Sequence, residues 1–417
     1  MQADLLIYGA SQVLTLASPG GPKRGTGMAE LGIVPNGAVA VRDRRILDVG
    51  PSEELEHKIQ ATRTLYAGGY VVMPGFVDPH THLVWAGERA DEFEMRVAGA
   101  SYMEIMAAGG GIMNTVRRTR AASVEDLVAE TEPRLERMVA HGTTTVEIKT
   151  GYGLNTRDEL KQLEAIRRLG ERSPATIVPT FLGAHAVPAE FKGRVEEYVD
   201  LVVEEMLPAA AAAEAGAEGS LFCDVFCEEG AFSLDQSRRV LEAADKLGFR
   251  LKIHVDEFES LGGTQLAVEL GATSADHLVC TPADEIELLA RSDTIGVALP
   301  GTPFGLGHHD YTPAREIIDG GGVLALATDC NPGTCWCESM QFMLALACRY
   351  MSMTPAEAIS AATINAAHAV GLGTEVGSLE AGKRADILLV GVPSYQHLGY
   401  RFGTNLVQGV LLAGEML

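Results

Sequence analysis

The chain has 417 residues, 47% hydrophobic and 21% charged, the profile of a soluble globular protein long enough for a barrel of ~250 residues plus a smaller module. A formal net charge of −23 argues against nucleic acid or an anionic membrane as partner. No run of ~18 apolar residues reads as a membrane span, the N-terminus MQADLLIYGASQVLTL reads as a strand rather than a signal peptide, and seven cysteines without framework spacing read as reduced thiols in a cytoplasmic protein.

Residues 1–70 read as a small β module. Apolar-rich runs at 4–8, 12–16, 37–42 and 45–49 are separated by Gly, Pro and Asp turn signals, with a Gly- and Pro-rich loop over 18–36. From residue 71 strands alternate with helices. The first run, VMPGFVDPHTHLVWAGER over 72–89, reads as one buried strand ending in two histidines. A helix follows over 124–140 with Ser123 as N-cap, then a β-branched strand at 143–149. A helix at 157–168, with Thr156 and Glu159 as a capping box, precedes a strand at 176–182 that leads to His185. Next come a helix at 196–206, an Ala/Glu/Gly-rich surface run at 209–219 and a strand at 222–227. Ser233 and Gln236 cap a helix ending near Gly248. Strands at 250–255, 273–279, 294–299 and 323–328 follow, with helices near 267–270, after Pro282 and at 314–319. Eight such strands predict a closed parallel barrel. Helices at 340–350 and 355–370 come after it, the second capped by Thr354 and Glu357, and the tail is β-like. The expected fold is α/β: a (β/α)8 TIM barrel over 71–376, with a small β-sandwich domain built from both chain termini, 1–70 and 377–417.

In a strand, residues i and i+2 share a face, so His80 and His82 present two imidazoles to one point. Active sites of such barrels lie at the carboxyl ends of the strands. His254 lies near the end of the fifth strand and Asp329 ends the eighth, while His185 and His277 occupy similar rims. Three imidazoles and one carboxylate suit Zn²⁺, and also Fe or another divalent ion, and an open coordination position lowers the pKa of bound water to ~7. Glu257, three residues after His254, is placed to take that water's proton and pass it to a leaving nitrogen. His277 is placed to bond the water or the developing oxyanion.

PGFVDPHTH, the later histidine strands, TD at the eighth strand and the return GSLEAGKRADILLVG resemble the metal-dependent amidohydrolase superfamily. GGGIMNTVRRTR, EIKTGYGL, FLGAHAVP, HVDEFE, SADHL and TDCNPG narrow the resemblance to its imidazolonepropionase family, over essentially the whole chain. The resemblance implies hydrolysis of the ring amide of 4-imidazolone-5-propanoate to N-formimidoyl-L-glutamate in histidine degradation. It implies one Zn or Fe ion per subunit on His80, His82, His254 and Asp329, and a homodimer. It implies contacts to this small-molecule substrate from Arg89, Tyr102, Tyr152, His185, Glu257, Asn331, Gly333 and Thr334. The residue types agree. Arg89 suits a propionate through two parallel hydrogen bonds, although taken alone it reads as a surface ion pair with Glu88 or Asp91. Tyr152 sits between glycines where an aromatic can meet a flat ring, and residues 331–334 offer backbone N–H groups to a carboxylate. In the expected mechanism metal-bound hydroxide attacks the ring carbonyl. The metal and His277 or His185 stabilise the oxyanion, and Glu257 delivers the proton to the ring nitrogen.

Cys335-Trp336-Cys337 departs from the family's small or polar residues at this point. Lys149 raises the two-metal arrangement bridged by a carboxylated lysine, but it sits on the second strand, away from where such a bridge is expected. One metal is the favoured reading. The rival readings are a deaminase of the same superfamily, whose neutral base has no propionate for Arg89, a hydrolase of a modified imidazolone, and a metal-binding scaffold without activity.

Overall fold

The computed structural model describes residues 1–100, 104, 109–213 and 221–417. Tyr102 and the end of the Ala/Glu/Gly-rich run lie outside the described residues. The strands are β1 (Gln2–Leu14), β2 (Ile33–Arg42), β3 (Arg45–Pro51), β4 (Gln60–Tyr66), β5 (Val71–Pro74), β6 (Phe76–Asp78), β7 (Thr143–Lys149) and β8 (Thr176–Ala184). Then come β9 (Phe222–Cys227), β10 (Arg250–Val255), β11 (Ser274–His277), β12 (Ile295–Ala298), β13 (Leu324–Leu326), β14 (Ile387–Val390), β15 (Val407–Leu412) and β16 (Glu415–Met416).

Both chain ends form one mixed sheet in the order β16-β15-β14-β5-β1-β2-β3, with β4 also on β1. The expected runs at 4–8 and 12–16 are a single strand, β1. It bends between Ile7 and Ala10, where Gly9 takes a positive φ of 73°, a conformation that costs glycine least. The bend lets its first half pair with β4 and its second half with β5. Leu5, Ile7, Val39 and Val41 then share one core with Ile387, Leu389 and Leu411 from the other chain end. The opposite face is covered by the helix Ser52–Lys58, whose Leu55 packs with Ala3, Leu6, Ala38 and Ala40. That helix and β4 lie outside the expected elements. β4 is largely exposed, so its residues carry no apolar alternation.

β6 to β13 form a wholly parallel sheet in chain order. Its ends meet past the last ladder bonds. His82 N–H donates to the Cys330 carbonyl at 3.0 Å, and Asp329 N–H to the His80 carbonyl at 3.1 Å. Beneath them, the buried Asp78 carboxylate accepts Thr328 N–H at 3.1 Å and Thr328 Oγ1 at 2.6 Å. The sheet is thereby a closed eight-stranded barrel with helices outside, a (β/α)8 fold. The run that reads as one strand from residue 72 is two. β5 belongs to the terminal sheet and β6 to the barrel, and the chain turns at Gly75, where any Cβ would collide with Thr144.

Local signals placed the outer helices well. Capping boxes at Ser123/Asp126, Ser233/Gln236 and Thr354/Glu357 start the helices Val124–Ala140, Leu234–Lys246 and Pro355–Ala361. The helix expected over 355–370 breaks into Pro355–Ala361 and Ile364–Ala369. Val77 N–H of β6 takes the Ala362 carbonyl at 2.9 Å, which diverts the chain toward the barrel floor.

Candidate active site

The barrel brings its chemistry to the carboxyl ends of the strands. His80 and His82 follow β6, Lys149 ends β7, His185 follows β8, His254 lies in β10, His277 ends β11 and Asp329 follows β13. His82 Nε2 lies 3.3 Å from His254 Nε2 and 3.5 Å from Asp329 Oδ1, and His80 Nε2 lies 3.6 Å from the same oxygen. A four-ligand zinc site with bonds of about 2.0–2.1 Å sets its donor atoms about 3.3 Å apart. His80, His82 and Asp329 form one group of donors with the spacing such an ion needs, and His254 joins it through its contact with His82. His80 Nε2 and His82 Nδ1 are buried without a hydrogen bond among the described residues, although buried polar atoms are rarely left so. His277 sits beside this set and also groups with His80 and His254.

The Nδ1 sides of two histidines face buried acids. His80 Nδ1 meets Asp276 Oδ2 at 2.7 Å and His254 Nδ1 meets Asp224 Oδ2 at 2.9 Å, so both Nε2 atoms turn to the cluster. Lys149 Nζ binds Glu147 at 2.7 Å and Asp224 at 2.8 Å and lies 3.9 Å from Asp276. Lys252 Nζ adds Ser274 Oγ at 2.8 Å. Lys149 is therefore an ion-paired ammonium; burial opposes its charge, and the three carboxylates more than restore it. Asp224 and Asp276 were not among the expected site residues. Their signal was present, an acid inside an apolar strand in FCDVFC and in SADHL.

Burial pushes His80, His82 and His277 well below the usual imidazole pKa, with the neighbouring imidazoles and Lys149 adding to it. Burial takes His185 down to about 3. Neutral imidazole is the form that binds metal. Burial raises Asp329 to about 6, and raises Glu257 well above the carboxylate range with help from the Asp329 and Glu228 charges.

A cavity of about 590 Å³ opens over the cluster. His82, His185, His254, His277, Glu257 and Asp329 line it together with Arg89, Tyr152, Asn331, Gly333 and Thr334. Glu257 Oε2 lies 3.7 Å from His277 Nε2. His185 stacks on His82 with ring centroids 4.8 Å apart, and Tyr152 lies 5.4 Å from His185.

Three local expectations are corrected. Glu159 does not form a capping box with Thr156, because Asn155 caps the helix Thr156–Arg172. Glu159 instead accepts the N–H groups of Gly151, Gly153 and Leu154 at 2.7–3.0 Å and so holds the loop that carries Tyr152. The N–H groups of Gly333 and Thr334 are not offered to a ligand, since both donate to Asn331 Oδ1 at 2.8 Å. Arg89 pairs with Glu92 rather than Glu88 or Asp91, through Nε at 2.9 Å and Nη2 at 2.8 Å. Its Nη1 passes so close to Gly333 that a side chain there would displace the guanidinium. Cys335 and Cys337 donate to the carbonyls of Thr328 and Ser339, and burial raises both thiols, so neither favours the thiolate that binds metal.

An eight-stranded barrel gathering imidazoles and a carboxylate at its mouth belongs to the class of barrels with the donor set for a divalent ion at the strand ends. The model of the amidohydrolase family matches residues 71–417, and that of the bacterial imidazolonepropionase-like composite domain matches 37–58. An imidazolonepropionase of Herpetosiphon aurantiacus is 56% identical over 100% of this chain and 97% of its own. One of Symbiobacterium thermophilum is 50% identical over 99% and 97%. Among solved structures, E. coli guanine deaminase superposes with a TM-score of 0.74 at 15% identity, covering 99% of this chain and 98% of its own. An adenosine deaminase of Xanthomonas campestris with bound zinc gives 0.70 at 20% identity, covering 100% and 93%. The chain belongs to the amidohydrolase family and, within it, to the imidazolonepropionases.

Proposed function

We propose that this cavity hydrolyses the ring amide of 4-imidazolone-5-propanoate to N-formimidoyl-L-glutamate in histidine degradation. The observation that carries the reading is one cavity lined by His82, His254 and Asp329, by Glu257 at 3.7 Å from His277, and by Arg89. His80, His82, His254 and Asp329 hold one divalent ion, Zn²⁺ or Fe, which supplies Lewis acidity and a water that ionises near neutral pH. Glu257 takes the proton of the attacking water and passes it to the ring nitrogen as the carbon–nitrogen bond breaks. A neutral His277 or His185 donates to the oxygen that gains charge. Arg89 pairs with the propionate, while Tyr152 and His185 bound the slot for the flat ring. A homodimer and a cytoplasmic location belong to the same proposal; no helix among the described residues is long and apolar enough to cross a membrane.

The deaminases among the solved structures share the fold at 15–20% identity, and Arg89 in the cavity lining is what a neutral base leaves unused. The test is turnover of freshly generated 4-imidazolone-5-propanoate, with formimidoylglutamate detected by mass spectrometry and metal counted on the same sample. Product above the spontaneous rate, lost on chelation and in Asp329→Ala, is the expected result. A folded, metal-loaded protein without product would move the substrate to a base or a modified imidazolone.

A further inference from the structure

Two of the glutamates lining the cavity, Glu228 and Glu257, come from neighbouring strand ends, and their carboxylates are used in opposite ways. Glu228, just past β9, is 3% exposed. Its Oε1 accepts the N–H of Glu229 at 2.8 Å and of Glu259 at 3.2 Å, and its Oε2 accepts the N–H of Phe258 at 3.0 Å and of Glu259 at 3.3 Å. Glu257, just past β10, takes no side-chain hydrogen bond among the described residues, and its Oε2 lies 3.7 Å from His277 Nε2. One carboxylate is saturated by backbone donors, and the other is free to carry a proton.

The turn that presents Glu257 is held on both sides. Before it, Asp256 stands at a φ of 54°, a conformation that side chains disfavour. The Asp256 carboxylate accepts Thr264 Oγ1 at 2.7 Å and Thr281 Oγ1 at 2.8 Å, and its carbonyl accepts Cys280 N–H at 2.8 Å. After it, the next two N–H groups both end on Glu228. A loop acid gripped only on its N-terminal side would swing with the chain beyond it.

We infer that Glu228 is a positioning residue, which by binding the N–H groups of Phe258 and Glu259 holds the Glu257 carboxylate over the cavity and against His277. Glu228 is assigned no direct part in the chemistry, because both of its oxygens are already engaged by backbone N–H groups. The inference rests on the reading of Glu257 as proton carrier.

The experiment compares E228Q and E228A with the parent, and E228Q combined with E257Q against E257Q alone. It measures kcat and KM for 4-imidazolone-5-propanoate, bound metal and the melting temperature of each holoenzyme. A misplaced catalytic group costs on the order of a hundredfold. Turnover should fall by about tenfold to a hundredfold in E228Q, and further in E228A, with KM and metal content little changed. Gln keeps one acceptor oxygen, so E228Q retains part of the grip and serves should E228A not fold. In the E257Q background the E228Q change should cost no further turnover, since nothing is left to position. A loss that falls on KM, multiplies that of E257Q, or is absent in E228Q would overturn the inference. An E257Q enzyme with full turnover would retire the proton-carrier reading instead.

Discussion

The mouth of the barrel and the layer of charge directly beneath it are equally buried and are satisfied in opposite ways. Beneath, Lys149 and Lys252 meet Glu147, Asp224 and Asp276, so each charge faces its opposite within 4 Å. At the mouth, His80 Nε2, His82 Nδ1 and His277 Nδ1 have no hydrogen bond among the described residues. Desolvation penalises a polar atom left unpaired, so His80 Nε2, which faces the Asp329 carboxylate at 3.6 Å, is open to a ligand, while His82 meets the same cluster through Nε2. The lower layer aims the upper one, because Asp276 and Asp224 occupy the far nitrogens of His80 and His254.

The largest expected effect tests the open layer. Glu257→Gln should lower kcat about 10²- to 10⁴-fold, the usual contribution of a placed acid–base group, with metal content unchanged. Normal turnover would remove Glu257 from the chemistry. Next, Lys149→Met removes the cation that pairs the lower layer. Breaking a buried pair by deleting one partner costs about 3–5 kcal/mol, to be read as a lower urea midpoint at constant m. Unaltered stability would mean that Lys149 is not the support assigned to it.

Arg89→Lys should raise KM by about tenfold while changing kcat less, since an ammonium lacks the forked donor pair; isothermal titration with a product-like dicarboxylate measures it directly. The smallest effect lies far from the site. Thr354→Ala removes an N-cap and should cost about 1 kcal/mol. Partial burial raises the capping-box acid Glu357, yet Arg315 and Thr354 together hold its pKa below the usual value. A depressed carboxyl stabilises the fold above its unfolded pKa of about 4.3 and loses that contribution as pH falls through the lower folded value. Acid unfolding below about pH 4 should therefore be shallower in Glu357→Gln than in the parent.

The site candidates that reading along the chain could find lie at the ends of apolar runs. His80, His82, His254, His277 and Asp329 each stand where a period-two strand meets turn residues. The acids that support the site escaped notice because nothing near them in the chain explains them. Asp276 is 196 positions from His80, and Glu228 is 30 from the Phe258 amide it holds. Glu159 escaped for another reason: its partners Gly151, Gly153 and Leu154 are close in the chain but lie in a loop whose course no capping rule predicts.

By itself the sequence determined the alternation of strands and helices through most of the barrel and several helix starts, and it offered the histidine–aspartate candidates, because capping and strand-end placement are local. Only the tertiary structure decided that the 72–78 run divides at Gly75 between two sheets. It also decided that Glu228 and Asp224 serve residues on the neighbouring strand, whereas the amides of Gly333 and Thr334 are taken locally, by Asn331. The outcomes for Glu228 and Asp224 depend on which donor and acceptor the closed barrel brings within 3.0 Å of each other. Where a buried polar group has no partner nearby in the chain, closure of the barrel decides which one it takes.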